Sequence, residues 1–364
     1  MGAIPFRRTD QPVSQPSLWS LSKKLLRSVY RSYIFRVTVQ GILTLWVVTT
    51  CTFYMIRKMP NNPIEVKIDE FQTKQNLTYE EARSKVAGLF DYDPDAPFIE
   101  QYTDYMGNLV QGDLGRSITT GRTPVSQQIA KYLPWTLFAV GLGLLISFVI
   151  GMIAGAAMAY WRGTVFDNVM TAFASISYGI PDFVIAFMIL LIGGIQLELF
   201  QVGDYIGSVD PEIKAGFNPE YIRSLLQHVL LPVTTYVLAS VGGWMLTMKS
   251  STISTLGEDY ITVAHARGLS QRRILFGYVG RNAMLPLMTR LAISVGFVLS
   301  GSIIIEYIFI YPGLGKYLFE MTGKRDYTTI QGIFLVTSAA VVISNILADL
   351  LYGVLDPRVR VGSK

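Results

Sequence analysis

A lysine behind two closely spaced glycines, in Pro312-Gly313-Leu314-Gly315-Lys316, is the first place to look for phosphate chemistry. A phosphate loop needs four residues between its first glycine and a Gly-Lys pair, followed by a Ser or Thr hydroxyl for the metal. Here the spacing is wrong and Tyr317 follows, so the motif reads as a turn and the chain carries no ATP site. His228 and His265 form no metal or triad constellation, and Cys51 is alone inside an apolar run. No cofactor and no metal are therefore expected on this chain, and any energy must come from other subunits or an ion gradient. Charges inside apolar runs are costly in lipid, and Asp182 is the first to consider. Behind Pro181 it is either a helix-bend residue hydrogen-bonded to a neighbour or a wall of a translocation path that meets a cationic group. Arg290 and Asp349 fall in the cytosolic halves of their runs, where they pair or snorkel.

The polar, basic stretch Glu258–Thr289 lies between two apolar runs and is too long for a tight connection. Ile261, Ala264 and the Val263/Ala266 pair give a first helix a short small-residue face. Gly268 follows where a helix needs a left-handed terminator without a Cβ. Ser270 stands as N-cap of a second helix through Ile274, Val279 and Ala283, and Pro286 marks the return to the bilayer. Arg267, Arg272, Arg273 and Arg281 against Glu258 and Asp259 place this helix–turn–helix in the cytosol. Spacing alone leaves two readings open, a docking surface pushed by a cytosolic partner or an ordinary basic loop.

The segment resembles the signature loop of importer permeases of the ATP-binding-cassette (ABC) class, specifically the B-type membrane subunit of the dipeptide/oligopeptide permease family. The matching residues are Asp259, Tyr260, Ala264, Ala266, Gly268, Leu269, Ser270, Arg272, Arg281, Asn282, Ala283, Leu285 and Pro286. It departs at Arg267, where lysine is usual, and at Thr262-Val263, where the general signature has Glu-Ala. Further matching blocks are Arg57–Pro63, Gly112–Ser117, Pro312–Gly315, Arg325–Tyr327 with Gln331-Gly332, and Leu355–Arg358. The likeness runs from about residue 31 to the C-terminus. It implies an all-α membrane protein of the type I ABC-importer permease kind. It also implies a second, similar permease subunit, two cytosolic ATPases and an external substrate-binding protein. The coupling residues carried over are Asp259, Tyr260, Ala264, Ala266, Arg267, Gly268, Ser270, Arg272, Asn282 and Pro286. The cargo it implies is di- or oligopeptides, with relatives that move oligosaccharides or nickel complexes.

Composition agrees with a membrane protein independently of that likeness. Hydrophobic residues are 51% and charged residues 16%, against about a quarter charged in soluble domains. Val37–Ile56, Leu133–Trp161, Ser224–Met248 and Tyr327–Ala348 are free of charge and long enough for the ~20 residues a helix needs to cross. Two further runs carry isolated charges, about Val165–Leu197 with Asp182 and about Met284–Ile310 with Arg290 and Glu306. Six transmembrane helices are expected. The organisation read from them is a basic segment 1–36, helix 1 at 37–56, an external helical cap 57–132, a five-helix core 133–355 with a coupling loop 249–286, and a tail 356–364.

Charge asymmetry orients the spans. The segment before Val37 holds seven Lys/Arg against Asp10, whereas residues 198–223 hold two basic and five acidic residues. Both termini are therefore expected in the cytosol of a multi-pass cell-membrane protein. The net charge of +5 follows from this orientation and does not point to nucleic acid. Val37–Ile56 is too long for a signal h-region, so no cleavable leader is expected. The N-terminal extension is longer than the family usually shows and has no assigned role.

Within the cap, Thr78–Glu81 fits a capping box opening a helix to about Phe90, and Phe98, Tyr102, Tyr105, Met106 and Leu109 fall at helical spacing. Pro124–Leu133 reads as an interfacial amphipathic helix leading to Trp135. Gly151 and Gly155 form a small-xxx-small pair for close helix contact. A cap of this kind braces the helix ends and receives a soluble binding protein. A secondary transporter is the alternative of another class. It would show internal repeats and broken central helices with coupling ions; no repeat is visible, and a large docking loop is unnecessary for that mechanism. A membrane enzyme would need paired carboxylates or an activated nucleophile in its spans, and these are not seen.

Overall fold

The computed structural model describes residues 33–58, 63–90, 96–117, 119–120, 123–298 and 301–355. The basic segment 1–36 (save its last four residues), most of the Arg57–Pro63 block, the side chain of Asp349 and the tail 356–364 lie outside the described residues or side chains. The architecture is all helical, with a lone bridge between Arg116 and Pro124 as the β-pairing among the described residues. Helix α1 is Tyr33–Lys58; α2 (Pro63–Gln75), α3 (Tyr79–Phe90) and α4 (Phe98–Val110) make the cap. The long α5 is Val125–Tyr160, α6 is Val165–Gly179 and α7 is Asp182–Met188, which continues as a π-wound turn to Gln196. The 38-residue α8, Pro219–Leu256, is followed by α9 (Asp259–Ala266), α10 (Gln271–Arg273, π-wound through Gly280) and α11 (Arg281–Ala283). Helices α12 (Leu285–Val298), α13 (Ile303–Ile308), α14 (Leu314–Gly323) and α15 (Tyr327–Leu355) complete the chain. Residues up to Thr44 belong to a separate unit from Leu45 onward.

The cap helices form where the sequence places them. The Thr78 backbone N–H donates to Glu81 Oε2 at 2.9 Å and the Glu81 N–H returns a longer bond to Thr78 Oγ1, the two halves of a capping box. The Thr78 bonds hold the Glu81 carboxyl below its usual range. Ile68, Ala82 and Val86 bury themselves between α2 and α3 with Phe71 and Leu77. Phe98, Tyr102 and Tyr105 of α4 gather round Phe53 of α1 with ring centroids 5.1–5.5 Å apart.

In the bundle, α5 and α8 make the most extensive helix–helix contact. Gly151 and Gly155 explain the closeness. A Cβ at Gly151 would collide with Trp244 Cβ, and one at Gly155 would lie 2.7 Å from Met248 Cβ. The pair thus packs backbone against helix, as the small-residue spacing predicts. Phe148, Trp244, Met248, Ala283 and Leu287 form the core beside it.

Three sequence expectations change. The stretch 124–133 is no separate interfacial helix but the first turns of α5, because Val125 and Ile129 find a protein partner. They are buried with Leu314, Tyr317, Leu318, Met321, Ile330 and Ile333. The run 165–197 is not one straight span, since α6 and the α7 segment meet at 105° across Ile180-Pro181. Proline lacks the N–H and restricts the residue before it to extended backbone, so the helix ends there. The run 284–310 is likewise divided into α12 and α13. Among the described residues four helices are long and apolar enough to cross a membrane, or five with the bent pair as one; a sixth requires the shorter α12. The chain alternates between two ends. One carries α2–α4, the 197–218 connection and α13–α14; the other carries α9–α11.

Candidate functional site

At the end opposite the cap, α8 passes through Gly257 and Glu258 into α9, where Asp259 sits in the first turn and complements the helix dipole. Helix α9 stops in a Schellman motif. The Leu269 N–H reaches back to the Ala264 carbonyl at 3.3 Å, the Gly268 N–H bonds the His265 carbonyl at 2.9 Å, and Gly268 has φ +70°. Ser270 then holds the extended N-cap conformation expected of it, but its side chain makes no capping bond. In the π-wound turn that follows, the Asn282 side-chain amide donates to the Tyr278 carbonyl at 2.7 Å. Ser251 Oγ donates to the Ala283 carbonyl at 2.8 Å and ties the end of this hairpin back to α8. Pro286 occupies the second position of α12, where its missing N–H costs nothing.

The hairpin has its own core. Ile261, Ala264, Ile274 and Val279 are buried with Leu256, Tyr260, Leu269 and Tyr278 around them. This divides the small-residue face read from the sequence. Ala264, 3% exposed, points inward and sets the spacing of the two helices, while Ala266 is exposed. Asp259, Arg267, Gly268, Ser270 and Arg272 are also exposed, and Tyr260 and Asn282 are half-buried. Two large apolar side chains stand out from this end, Val263 and Phe276, the latter 81% exposed. The sequence reading overlooked Phe276, although a phenylalanine in an otherwise basic stretch was its signal.

Asp182 opens α7 directly after the 105° bend and is half-buried. One carboxylate oxygen accepts from the Phe183 N–H at 2.8 Å and the other from Ser302 Oγ at 3.1 Å. That geometry joins the bend to the start of α13. A pairing of Arg290 with Asp349 lies outside the described side chains. Arg290 donates to Thr247 Oγ1 at 2.9 Å and to the Gly243 carbonyl at 3.2 Å, with its guanidinium 4.7 Å from the Trp244 ring centre.

Three buried carboxylates were given no role by the sequence reading. Glu306, fully buried, accepts from Thr136 Oγ1 at 2.8 Å and the Lys316 N–H at 3.0 Å. The glycines of Pro312–Gly315 close round it, and a Cβ at Gly313 would overlap its carboxylate. The apparent phosphate loop is therefore a cradle for the buried Glu306 carboxyl group at the start of α14. Asp326, also fully buried, accepts from Ser117 Oγ at 2.5 Å and Thr119 Oγ1 at 2.9 Å, pinning the 112–124 turn to the α14–α15 corner. Asp167 pairs with Lys249 at 2.5 Å and accepts from the Gly163 N–H at 3.0 Å, locking the start of α6 to α8 near the hairpin.

With this geometry in place, comparison with known proteins gives a single answer. Residues 118–361 match the binding-protein-dependent transport system inner membrane component family. The chain belongs to that family. This permease is 32% identical to the di/tripeptide transport system permease protein DppB of Pseudomonas aeruginosa (strain UCBPP-PA14), over 90% of its own length and 98% of that protein. It is 30% identical to the oligopeptide transport system permease protein AppB of Bacillus subtilis (strain 168), over 90% and 99%. The dipeptide transport system permease protein DppB of Escherichia coli (strain K12) is 29% identical over 86% and 94%. The permease is thus a multi-pass membrane component of a transport system and not an enzyme. The extended likeness also accounts for the matching blocks: Gly112–Ser117 and Arg325–Tyr327 meet at Asp326, and Pro312–Gly315 meets Glu306.

Proposed function

We propose that this permease forms half of the translocation path for di- or oligopeptides in an ATP-driven importer, and that the 258–286 hairpin transmits the work of cytosolic ATPases to the bundle. The observation that carries the reading is the hairpin itself: a glycine-cornered helical element with its own core, exposed Val263 and Phe276, and exposed Arg267 and Arg272. A rigid projecting element of this kind can be moved as a body, because its internal packing keeps its shape while the contact to α8 carries the displacement. In this reading Asp259, Tyr260, Ala266, Gly268, Ser270, Asn282 and Pro286 shape or present the hairpin, and Ala264 holds its two helices together. Asp182 stands at the path by its place at the bend between α6 and α7.

The partners in this proposal are a second, non-identical permease subunit, two ATPases at the hairpin end and an external substrate-binding protein at the cap end. The ATPases hold the nucleotide, and this chain holds no cofactor. Both termini are cytosolic, which follows from the basic residues of 1–36 and of the hairpin against the acidic 198–223 connection. The peptide cargo is supported by the cargo named for the relatives above.

Uptake of labelled tri-alanine into vesicles, with the partner subunits co-expressed, tests the cargo. Competition by oligosaccharides or nickel complexes but not by peptides would replace it with another. Single cysteines at Thr78 and Ser270, in a Cys51→Ser background, test the orientation with an impermeant reagent on intact cells. Labelling at position 78 alone is expected, and labelling at both would overturn the arrangement.

A further inference from the structure

Helix α4 is amphipathic along its whole length, yet no residue of it is buried. At about 100° per residue, Phe98, Tyr102, Tyr105 and Leu109 fall within one arc of about 60°. Ile99, Met106 and Val110 continue this apolar stripe on one side, and Glu100, Gln101, Asp104 and Asn108 occupy the opposite face. The first arc is spoken for by α1. The Phe98, Tyr102 and Tyr105 rings surround Phe53, Phe98 stands edge-on to Tyr54 at 6.2 Å, and the Tyr102 hydroxyl lies 2.7 Å from Thr50 Oγ1. The rest of the stripe stays open: Ile99 is 66% exposed and Val110 85%.

The contacts with α1 set the depth of α4. The apolar span in α1 ends at Met55, and Thr50 lies roughly 8 Å inside that end at ~1.5 Å per residue. A helix packed on Thr50, Phe53 and Tyr54 is therefore level with the last turns of a membrane span. Interfacial helices bury their apolar face at that level, ~5–10 Å into the boundary between head groups and acyl chains. The aromatic side chains agree, since tyrosine rings gather where the ring meets hydrocarbon and the hydroxyl stays among polar groups. The surface of α1 here is itself apolar and exposed, through Tyr54 and Met55, and the exposed Phe98 joins it to Ile99. The open stripe of α4 thus continues the lipid-facing surface of a membrane helix. A soluble partner would have to enter the bilayer to reach it.

We propose that α4 is an interfacial helix that lays Ile99, Met106 and Val110 into the lipid leaflet on the cap side and moors the cap to the membrane beside α1. Recognition is by acyl chains. The polar face carries Glu100 and Asp104 and α4 holds no Lys or Arg, so anionic head groups add no attraction and a neutral bilayer suffices. This helix takes the interfacial position that the sequence suggested for 124–133, whose apolar residues pack on protein instead.

The test uses the assembled importer in phosphatidylcholine nanodiscs. Ile99→Cys, Val110→Cys, Asp104→Cys and Asn108→Cys are made singly in a Cys51→Ser background and labelled with an environment-sensitive fluorophore. Labels at 99 and 110 should lose most of their fluorescence to lipids with a nitroxide on the acyl chain and little to aqueous iodide. Labels at 104 and 108 should show the reverse. Iodide quenching at 99 and 110 equal to that at 104 would overturn the proposal by placing the stripe in water. Protection of 99 and 110 from both quenchers would overturn it by showing a protein cover, such as the second permease subunit. A measurement on the unsubstituted protein stands even where a variant folds badly: a phospholipid with a photoreactive acyl chain should modify the 98–110 segment, and no adduct there overturns the mooring.

Discussion

Replacing Gly268 by asparagine, alanine and proline asks whether the corner of the hairpin depends on backbone conformation or on space. Nothing lies within 4 Å of a Cβ built at this position, so steric crowding is absent and the φ of +70° is the whole constraint. Asparagine visits this region most readily of the non-glycine residues and should cost little. Alanine should cost about 1–2 kcal/mol, which shifts the balance between formed and unformed corner by roughly 5–30-fold. Proline cannot reach the conformation, since its ring holds φ near −65°, and it has no N–H for the His265 carbonyl. With φ changed, the Leu269 to Ala264 bond cannot close either, so the Schellman motif is lost as a unit. The second helix then leaves at another angle. Peptide uptake should fall in the order Gly, Asn, Ala, Pro, with ATPase activity measured on the same proteoliposomes. ATPase activity without uptake is the expected signature of the proline variant. Wild-type uptake by the proline variant would refute the coupling role. Equal loss in all three would refute the conformational argument, because it would mean that any side chain is harmful.

The division of the small-residue face gives a second test: Ala264→Leu should lower hairpin stability by about 1–3 kcal/mol through overpacking, whereas Ala266→Leu should leave the isolated permease unchanged and weaken co-purification of the ATPases. Limited proteolysis of the loop distinguishes them, and identical cleavage of both variants would undo the inward placement of Ala264. In the bundle, Gly151→Leu drives a side chain into Trp244 and Met245 and should cost at least the same ~1–3 kcal/mol of overpacking. Membrane yield and thermal unfolding in detergent report it, and a wild-type midpoint would refute the close α5–α8 contact. Asp182→Asn keeps a carbonyl acceptor for the Phe183 N–H and sets an amide that can donate to Ser302 Oγ, but removes the charge. If the residue only braces the bend, uptake of tri-alanine and its acetylated analogue should be equally unaffected. Selective loss for the free peptide would show a charged wall of the path instead.

Much of this protein is determined by local chemistry along the chain. The apolar runs, the capping box at Thr78–Glu81, the glycine corner at Gly268 and the small-residue pair Gly151/Gly155 act through hydrophobicity, backbone conformation or side-chain size, and these operate over a few residues. Fold class and family were legible for that reason. What only the tertiary structure decided concerns groups whose partners are remote in sequence. Glu306 meets Thr136 across 170 residues, Asp326 meets Ser117 across 209, and Asp167 meets Lys249. Each carboxylate looked like an incidental charge until its donors were in place, because burial makes a charge tenable only when distant groups satisfy it. The same holds for the facing of Ala264, which depends on what α10 and its π-wound extension bring against it. It holds also for the first turns of α5, whose apolar stripe suits lipid and protein equally until α14 and α15 pack on it. Periodicity tells which residues leave water; where they go depends on contacts that close only when the helices have assembled.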